Sequence, residues 1–230
     1  MKKNVGCLYG IGVGPGDPEL LTLKALRIMN GCEVIAHPGN DCGCGVALSF
    51  VEQVVERFDE KKIISCEVPM TKDAEVLNSA YEKNVSVICS HLDAGEDVAF
   101  LNLGDPTIYG SYMVIHEKVR ELGYEAHIIS GVPSFCAAAA ALDEELCRRS
   151  EELHIIPATY GIEEALQLSG TKVFMKSGKN YQELRKVLKD RKLQVLVVCN
   201  ASMEQQMCYR GVDEMPEEAG YLTLVIVFDR

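Results

Sequence analysis

A run of alternate glycines near the amino terminus is the first feature of this 230-residue sequence that could do chemistry. It lies in "LYGIGVGPGDPELLTLKALRIM", where Gly10, Gly12, Gly14 and Gly16 stand between an apolar run and a helical pattern. A strand, a glycine loop and a helix in this order can hold a nucleotide phosphate, because backbone N–H groups and the helix dipole favour an anion there. Phosphate binding is therefore the first chemistry to consider.

The spacing of these glycines excludes a nucleotide-phosphate site. The dinucleotide motif G-x-G-x-x-G would need glycine where Pro15 or Asp17 stands, and no G-x-x-x-x-G-K-[ST] motif is present. Asp17 is predicted to cap the following helix, and Pro18 to be its first residue. The carboxylates of Asp17 and Glu19 would then repel a phosphate. The loop either faces another ligand or is a capped tight turn whose glycines only permit its geometry.

Two further loops repeat the layout of an apolar run, a glycine loop and a helical pattern. One is "VAFLNLGDPTIYGSYMVIHEKV", with its loop at 104–107, and the other is "HIISGVPSFCAAAAAL", with its loop at 131–133 and Ser134 as the predicted helix cap. In an open α/β sheet such loops lie at the carboxyl ends of the strands, where ligands bind. Asp105 could accept hydrogen bonds from an amine or a cation there. Each loop alone is ordinary turn chemistry, but three at equivalent edges indicate a binding site.

The motifs of several hydrolytic and metal-dependent mechanisms are absent. The sequence has no G-x-S-x-G elbow and no H-E-x-x-H pair, and its histidines are dispersed at 37, 91, 116, 127 and 154. Among them, His37 is predicted to end the second strand and to face the ligand cleft. An enzyme without an obvious nucleophile or metal site must rely on the reactivity of its substrates and on their positioning.

The elements that position these loops alternate along the whole chain. Strands are predicted near 5–13, 32–37, 61–68, 97–103, 126–130, 152–158, 171–177, 193–200 and 221–228, and helices near 18–30, 45–57, 74–94, 110–122, 134–142, 162–169 and 180–190. This alternation predicts an α/β fold with parallel or mixed sheets flanked by helices. Gly123 is predicted to stop a helix, which places a domain boundary between 124 and 125. Two domains, 1–124 and 125–230, would leave a ligand cleft between them.

Charge and hydropathy exclude several classes of protein. The net charge of −11 argues against nucleic acid as a partner. No apolar run approaches the span of a bilayer and no signal-peptide cleavage site is evident, so we expect a cytoplasmic protein with no membrane partner. The segment 172–192 is positively charged, in contrast to the whole chain, because it has eight basic and two acidic residues. It is either a solvated helix face or a basic rim that receives an anionic ligand.

The cysteines indicate a reducing compartment rather than a metal centre or a disulfide framework. There are ten of them, and the only close pair is Cys42 and Cys44, without a second pair to complete four zinc ligands. We therefore predict no bound metal. The abundance of cysteine fits a reducing cytoplasm.

The three loops together resemble the tetrapyrrole methylase family, two-domain methyltransferases that use S-adenosylmethionine. The motifs that carry the resemblance are "GVGPGDPELLTLKA", "LGDPTIYGSYM" and "GVPSFCAAAAAL", and it continues through "VFMKSGKN" to the terminal "YLTLVIV". Within the family, the second and third motifs and "PMTKD" are most similar to the precorrin-2 carbon-20 methyltransferases of cobalamin biosynthesis. The resemblance implies the tetrapyrrole methylase fold, an active cleft between two α/β domains, and a homodimer.

The resemblance also implies roles for individual residues. The cofactor contacts it implies are Gly104, Asp105, Pro106, Thr107, Ser111, Ser134, Phe135, Met175, Ala201, Ser202, Tyr221, Leu222 and Thr223. The tetrapyrrole contacts it implies are Gly14, Pro15, Gly16 and His37, with Lys176 and Lys179 facing the substrate carboxylates. Asp17 is the one carboxylate we nominate as the base that removes the meso proton. The chain departs from the family pattern at Gly110-Ser111, where Ser-Thr is expected, and in the loosely matching "CNASMEQQ".

Several alternatives remain open at this point. Within the family, the chain could act on another precorrin carbon or on uroporphyrinogen III, or be related to the diphthine synthases or the ribosomal-RNA ribose methylases. From other classes, it could be a nicotinamide-dependent oxidoreductase, which the glycine spacing disfavours, or a non-catalytic tetrapyrrole carrier. The abundance of cysteine fits the cytoplasm of an anaerobe, and the anaerobic version of the pathway uses a cobalt-loaded substrate. The cysteine content therefore favours a cobalt-loaded substrate over a metal-free one.

Overall fold

The alternating pattern produces ten strands and seven α-helices among the residues that the computed structural model describes, which are 5–39, 44–69, 71, 73–157 and 160–229. Cys44 and Lys179 are described in their backbone only. The chain divides into two units, Met1–Pro133 and Ser134–Arg230. None of the helices formed by these described residues is both long enough and apolar enough to cross a membrane.

The first unit is built on a five-stranded sheet in the order β3-β2-β4-β1-β5, in which every pairing is parallel. Its strands are β1 (Leu8–Gly12), β2 (Val34–Gly39), β3 (Lys62–Glu67), β4 (Val98–Asn102) and β5 (Ala126–Ile129). Its helices are α1 (Leu23–Gly31), α2 (Cys44–Val51), α3 (Ala74–Asp93) and α4 (Tyr112–Glu121). Because side chains alternate along a strand, Leu8 and Phe100 pack with α3 and α4, whereas Ile11 and Leu101 pack with α1 and α2 on the other face.

The second unit is built on a mixed five-stranded sheet in the order β6-β7-β10-β8-β9. Its strands are β6 (Leu153–Pro157), β7 (Thr171–Met175), β8 (Gln194–Cys199), β9 (Met207–Arg210) and β10 (Thr223–Phe228). Its helices are α5 (Ser134–Leu142), α6 (Ile162–Leu166) and α7 (Tyr181–Lys189). β6 and β7 are parallel, and the other pairings are antiparallel. The apolar stripe of α7, with Tyr181, Leu184 and Leu188, packs in one core with Phe174 and Val197 of the sheet.

The boundary between the units lies nine residues beyond the predicted one, after residue 133 rather than after 124. Gly123 does end α4, with a left-handed φ of 91° that favours glycine. The chain then forms β5, which pairs in parallel with β1 from Leu8↔Ala126 onward. Since this strand completes the first sheet, it belongs to the first unit, and the predicted boundary is corrected accordingly.

The predicted helix over 18–30 is divided in two. The Asp17 carboxylate accepts a hydrogen bond from the Glu19 backbone N–H at 2.8 Å, but it caps only a short 3-10 turn, Pro18–Leu20. Thr22 is extended and begins the α-helix by accepting from the Ala25 N–H at 3.1 Å. The prediction that Asp17 is a cap is therefore confirmed, whereas the prediction that it starts the long helix is wrong.

Three other elements differ from the predictions. The helix expected over 45–57 ends at Val51, after which Val54 donates to the Val51 carbonyl in a tighter turn. The helix expected over 162–169 ends at Leu166 in the same manner, with Gln167 and Leu168 bonded three residues back. β9 was not predicted, because an edge strand with mostly exposed side chains carries no buried apolar run.

Candidate functional site

The three glycine loops follow β4, β1 and β5, which lie side by side in the first sheet. After β1 the chain crosses through α1 to β2 on one side, and after β4 it crosses through α4 to β5 on the other. α1 and α4 accordingly pack on opposite faces of the sheet. The loops after β4 and β1 therefore leave the carboxyl edge of the sheet toward opposite faces, and ligands of open α/β sheets bind at this edge.

The loops after β1 and β4 are joined to each other by backbone hydrogen bonds. The Gly104 N–H donates to the Gly14 carbonyl at 2.7 Å, and the Gly14 N–H donates to the Gly104 carbonyl at 3.3 Å. One step earlier, the Val13 N–H donates to the Asn102 carbonyl at 3.0 Å. The predicted tetrapyrrole loop and the predicted cofactor loop thus form one connected structure.

Asp105 joins the second loop to the third. Its Oδ1 accepts from the Thr107 N–H at 2.9 Å and from Thr107 Oγ1 at 2.6 Å, and its Oδ2 accepts from the Gly131 N–H at 2.9 Å. Asp105 is only 8% exposed. Burial alone would raise the pKa of this carboxyl, but the hydrogen bonds from Thr107 and Gly131 outweigh it and hold the pKa below its usual value. Asp105 is therefore an ionised clamp between two loops.

The backbones of the three loops approach one another closely at two glycines. A Cβ added to Gly131 would overlap the Gly104 carbonyl oxygen and lie 2.7 Å from the Gly12 Cα. A Cβ added to Gly12 would lie 2.6 Å from the Gly131 Cα. Any larger residue at either position would force the loops apart, so the glycines are required by the packing of this edge.

In the second unit, most of the predicted cofactor residues lie at one edge of the sheet. Thr223 begins β10 opposite Cys199, the last residue of β8, and its Oγ1 is 3.4 Å from the Cys199 sulfur. The turn that follows β8 is tied to the same place, because the Asn200 N–H donates to the Leu222 carbonyl at 3.0 Å. Met175 ends the neighbouring strand β7. This edge therefore groups Met175, Ala201, Ser202, Tyr221, Leu222 and Thr223.

Ser177 adds an unexpected polar group beside Met175. Ser177 is 2% exposed, and its Oγ has no hydrogen-bond partner among the residues that the structure describes. An unpaired buried hydroxyl is costly unless a partner supplies the missing hydrogen bond. Ser177 therefore marks a position where a polar ligand atom would be stabilised.

A comparison with protein families identifies this arrangement of loops. The family model described as Tetrapyrrole (Corrin/Porphyrin) Methylases matches residues 7–214. The chain belongs to the tetrapyrrole methylases. All three glycine loops, the Asp105 clamp and the edge containing Met175 and Ser177 fall within the matched residues.

Two curated relatives of this tetrapyrrole methylase match it along nearly their whole length. A protein of Methanocaldococcus jannaschii named probable cobalt-precorrin-2 C(20)-methyltransferase is 33% identical, with 99% of this chain and 98% of the relative covered. A Sinorhizobium protein named precorrin-2 C(20)-methyltransferase is 28% identical, with 97% and 95% covered. The solved uroporphyrin-III C-methyltransferase of Thermus thermophilus complexed with S-adenosyl homocysteine has the same fold, with a TM-score of 0.74, 21% identity, and 97% and 98% covered.

Apart from Lys176 and Lys179, the residues predicted for the tetrapyrrole side lie in the first unit at the carboxyl edge of its sheet. Gly14, Pro15 and Gly16 are buried, and Asp17 is half-buried. The prediction that His37 ends its strand is wrong, because β2 continues to Gly39. His37 does lie just beyond the last residue of β2 that pairs with β4, since that pairing stops at Ala36. The structure thus places these residues at one edge of one sheet.

The remaining predicted cofactor residues flank the loops. Gly104 and Pro106 are buried, and Thr107 is exposed with its side chain bonded to Asp105. Ser111 immediately precedes α4 and makes no capping hydrogen bond through its side chain. Ser134 and Phe135 are the first residues of α5, at the start of the second unit.

The basic segment over 172–192 is not one continuous rim. Lys172 is 1% exposed inside β7 and lies 3.8 Å from the Asp229 carboxylate, and Arg191 pairs with Glu163. Lys176 is exposed just after β7. The side chain of Lys179 lies outside the described residues, as do Cys42 and the side chain of Cys44. Within the part of the segment that is described, Lys176 remains a candidate for an anionic ligand.

The residues present fit the cofactor that the family resemblance implies. S-adenosylmethionine carries hydroxyl, amino and carboxylate groups, and the Ser177 hydroxyl is buried without a partner among the described residues. Ser177 and Gly131 are functional candidates that the sequence did not single out as site residues. The signal available for Ser177 was its place directly after a strand in "VFMKSGKN". The signal for Gly131 was the repetition of the strand-glycine-helix layout.

Proposed function

We propose that this chain transfers a methyl group from S-adenosylmethionine to carbon 20 of precorrin-2, or of its cobalt complex, in cobalamin biosynthesis. The observation that carries the proposal is the 33% identity to a probable cobalt-precorrin-2 C(20)-methyltransferase across 99% of this chain and 98% of that relative. Because the match spans both units, it covers the loops of the first sheet and the edge residues of the second.

The cofactor is proposed to contact two groups of residues. In the first unit these are the backbone of Gly104, Pro106 and Thr107, together with Ser111. In the second unit they are Ser134, Phe135, Met175, Ala201, Ser202, Tyr221, Leu222 and Thr223, to which Ser177 is added. The buried Ser177 hydroxyl is expected to donate a hydrogen bond to a polar atom of the cofactor. S-adenosylmethionine supplies, when bound, a methyl group on a positively charged sulfur.

Asp105 is proposed to act by positioning rather than by contact. Its two oxygens already accept three hydrogen bonds, from Thr107 and Gly131. The ionised carboxylate therefore fixes the distance between the second and third loops. We expect removal of the Asp105 carboxylate to change the spacing of the loops, and so the shape of the site, rather than to remove a hydrogen bond to a ligand.

The protein needs no nucleophile for this reaction. The meso carbon of the tetrapyrrole is electron-rich through conjugation with the pyrrole nitrogens, so orientation and exclusion of water are the contributions required of the chain. As the new carbon–methyl bond forms, the meso proton must leave. Asp17 is proposed as its acceptor, because it stands beside the buried Gly14–Gly16 segment and uses only Oδ1 for its cap.

Lys176, Lys179 and His37 are proposed to face the tetrapyrrole. Precorrin-2 carries many carboxylates, and a protein with a net charge of −11 needs a local positive surface to receive it. Gly14, Pro15 and Gly16 are proposed to line the same side of the substrate. We further propose that the protein is a cytoplasmic homodimer, as the family resemblance implies.

The proposal is tested by incubating the purified protein with S-adenosylmethionine and either metal-free or cobalt-loaded precorrin-2 under anaerobic conditions. The product is analysed by mass spectrometry, and cofactor binding is measured separately by calorimetry. A gain of one methyl group supports the proposal, and the faster reaction identifies the metal state of the natural substrate. Cofactor binding without methylation of either substrate would assign the chain to another acceptor. Absence of cofactor binding would contradict the proposal entirely.

A further inference from the structure

The opposite end of the first sheet carries a cluster with metal-binding chemistry. Cys7 precedes β1, Glu125 precedes β5, and His127 is the second residue of β5. The Cys7 sulfur, a Glu125 carboxylate oxygen and a His127 ring nitrogen all lie within 4.8 Å of one another. These side chains play no part in the methyl-transfer site described above.

The register of the sheet holds the three side chains on one face. β1 and β5 are parallel with Leu8 opposite Ala126 and Tyr9 opposite His127, so Cys7 lies opposite Glu125. Because alternate residues of a strand share a face, Glu125 and His127 point to the same side as Cys7 and Tyr9. The ring of Tyr9 stacks on that of His127 at a centroid distance of 5.7 Å. The pairing of the two strands therefore places the three residues side by side on one face of the sheet.

The backbone around each member is also well anchored. The Cys7 N–H donates to Asp97 Oδ1 at 2.8 Å, and the Leu8 N–H donates to the Glu125 carbonyl at 3.0 Å. The Tyr112 hydroxyl donates to the His127 carbonyl at 2.9 Å. With these main-chain positions held, only side-chain rotation is needed to close the cluster around an ion.

The exposure of the three side chains suits a metal site that opens to solvent. Cys7 is 9% exposed, so its sulfur forms the floor of the cluster. The side chains of Glu125 and His127 are 84% and 56% exposed, and Glu125 Oε2 lies 4.0 Å from His127 Nε2. These two side chains have room to rotate over the sulfur, and ions can reach it from solvent.

The type of ligand decides the type of ion. Thiolate, imidazole and carboxylate together are the ligand set of Zn²⁺ and of chemically similar divalent ions such as Co²⁺. Mg²⁺ and Ca²⁺ prefer a shell of oxygen atoms and are poorly served by a cysteine. Three protein ligands would leave one position of a tetrahedral ion for water.

We propose that Cys7, Glu125 and His127 form a binding site for a divalent ion of the zinc class. This departs from the prediction, made from sequence spacing, that the chain has no metal site. The site would lie apart from the glycine loops at the carboxyl edge of the sheet, because Cys7 and Gly12 are separated by about 16 Å along β1 at about 3.3 Å per residue. An ion there would fasten the short edge strand β5 to β1, and β5 leads directly into the loop that carries Gly131.

Metal binding requires the Cys7 thiol to lose its proton. In the metal-free chain the Cys7 S–H donates to the Glu125 carbonyl oxygen at 3.5 Å. That proton would be released to solvent as the sulfur–metal bond forms.

The chain provides its own control for the cluster. Glu152 and His154 have the same spacing at the start of the edge strand β6, and Glu152 Oε2 lies 3.4 Å from His154 Nε2. No cysteine joins them in a metal-ligand cluster among the described residues. If an exposed Glu–His pair were sufficient to bind the ion, both places would bind it equally. The proposal predicts binding only where Cys7 completes the set.

The experiment is an anaerobic titration of Co²⁺ into the metal-free, reduced protein, followed by absorption spectroscopy. The protein used carries Cys42→Ser and Cys44→Ser, so that this close pair of thiols, which is not part of the proposed site, cannot bind Co²⁺. We expect one equivalent of Co²⁺ to bind with a thiolate-to-cobalt charge-transfer band, and Zn²⁺ to displace it. Cys7→Ser should abolish the band. Glu125→Gln and His127→Gln should each weaken binding by at least about tenfold, since even residues that only support metal ligands contribute that much.

The controls His154→Gln and Cys208→Ser should change the affinity less than about twofold, because neither side chain belongs to the cluster. Should Cys7→Ser fail to fold, the exposed Glu125→Gln and His127→Gln variants decide the matter. A band that persists in Cys7→Ser, an affinity that is unchanged in His127→Gln, or the lack of a one-to-one complex would overturn the proposal. These readouts do not involve methyl transfer, so this inference can fail without affecting the proposed function.

Discussion

Replacing Asp105 with asparagine tests the view that this residue is a clamp between loops. The substituted side chain would keep one oxygen to accept the two hydrogen bonds from Thr107. Its amide nitrogen would then face the Gly131 N–H, which donates to Asp105 at 2.9 Å in the native chain. One hydrogen bond to a charged group would be lost, and the part-buried Gly131 N–H would be left without its acceptor. The expected loss in the free energy of unfolding is about 1.5–3 kcal/mol.

For a chain of this length, 1 kcal/mol corresponds to a change of about 2–4 °C in melting temperature, so Asp105→Asn should melt about 3–12 °C below the wild type. Calorimetry and guanidinium denaturation followed by circular dichroism measure the loss. Thr107→Val is the matched control, because it removes only the bond from Thr107 Oγ1 to Asp105. It should cost about 0.5–1.5 kcal/mol. If Asp105→Asn were as stable as the wild type within about 0.5 kcal/mol, the clamp would be refuted.

The pH dependence of this difference has a definite sign. The folded-state pKa of Asp105 lies below its usual value, because the hydrogen bonds from Thr107 and Gly131 outweigh the effect of burial. A depressed pKa contributes stability above the unfolded-state value of about 3.9, and this stability is lost as the pH falls through the folded-state pKa. The gap between wild type and Asp105→Asn should therefore be constant above about pH 5 and shrink below about pH 4. A gap that persists in strong acid would mean that the charge is not involved.

Three further predictions concern other parts of the site. Asp17→Asn retains an oxygen to cap its turn, so it should leave cofactor binding unchanged and lower turnover by about 10²–10⁴ if Asp17 is the base; unchanged turnover would remove Asp17 from the mechanism. Gly131→Ala should destabilise the chain by about 1–3 kcal/mol, as overpacking does, because its Cβ would overlap the Gly104 carbonyl. Its control Gly31→Ala, where an added Cβ meets nothing within 4 Å, should stabilise α1 by up to about 1 kcal/mol; equal effects of the two substitutions on unfolding would contradict the packing argument. Lys176→Ala should raise KM for the tetrapyrrole about two- to fivefold at low salt and less at high salt, and a KM independent of salt would exclude the proposed charge interaction.

The sequence was sufficient to predict most elements and the positions of the three loops. Apolar runs of four to six residues became strands, and each glycine loop lay at the carboxyl end of a strand. That these strands are β4, β1 and β5, lying side by side, was not predictable from local pattern. Strand order is decided by pairings between distant segments, such as Leu8 with both Val98 and Ala126.

The role of Asp105 shows what residue type and spacing cannot reveal. The sequence suggested a residue that contacts the cofactor, and the structure adds that its oxygens are bonded to Thr107 and to Gly131, 26 residues away. The positioning role that we propose for Asp105 rests on this tertiary contact, which leaves no periodic trace in the sequence. Lys172 is a second residue whose surroundings the local sequence does not reveal. It was counted in a basic rim but is buried beside Asp229.

The cluster of Cys7, Glu125 and His127 was missed for a related reason. Metal sites are recognised in sequences by ligands at short, regular spacing, whereas 118 residues separate Cys7 from Glu125. Only the parallel register of β1 and β5 brings the two residues opposite each other. The Glu-x-His spacing was visible at 125–127, but it is also present at 152–154 without a cysteine, so it carried no specific signal.

Carbon 20 of precorrin-2, or of its cobalt complex, is the proposed acceptor of the methyl group. The decisive experiment supplies S-adenosylmethionine labelled with carbon-13 in its methyl group and locates the label in the product by NMR. We expect a single labelled methyl group on the meso carbon 20, with the meso proton lost. A label on any other carbon of the macrocycle, or an unlabelled tetrapyrrole in the presence of bound cofactor, would contradict this proposal.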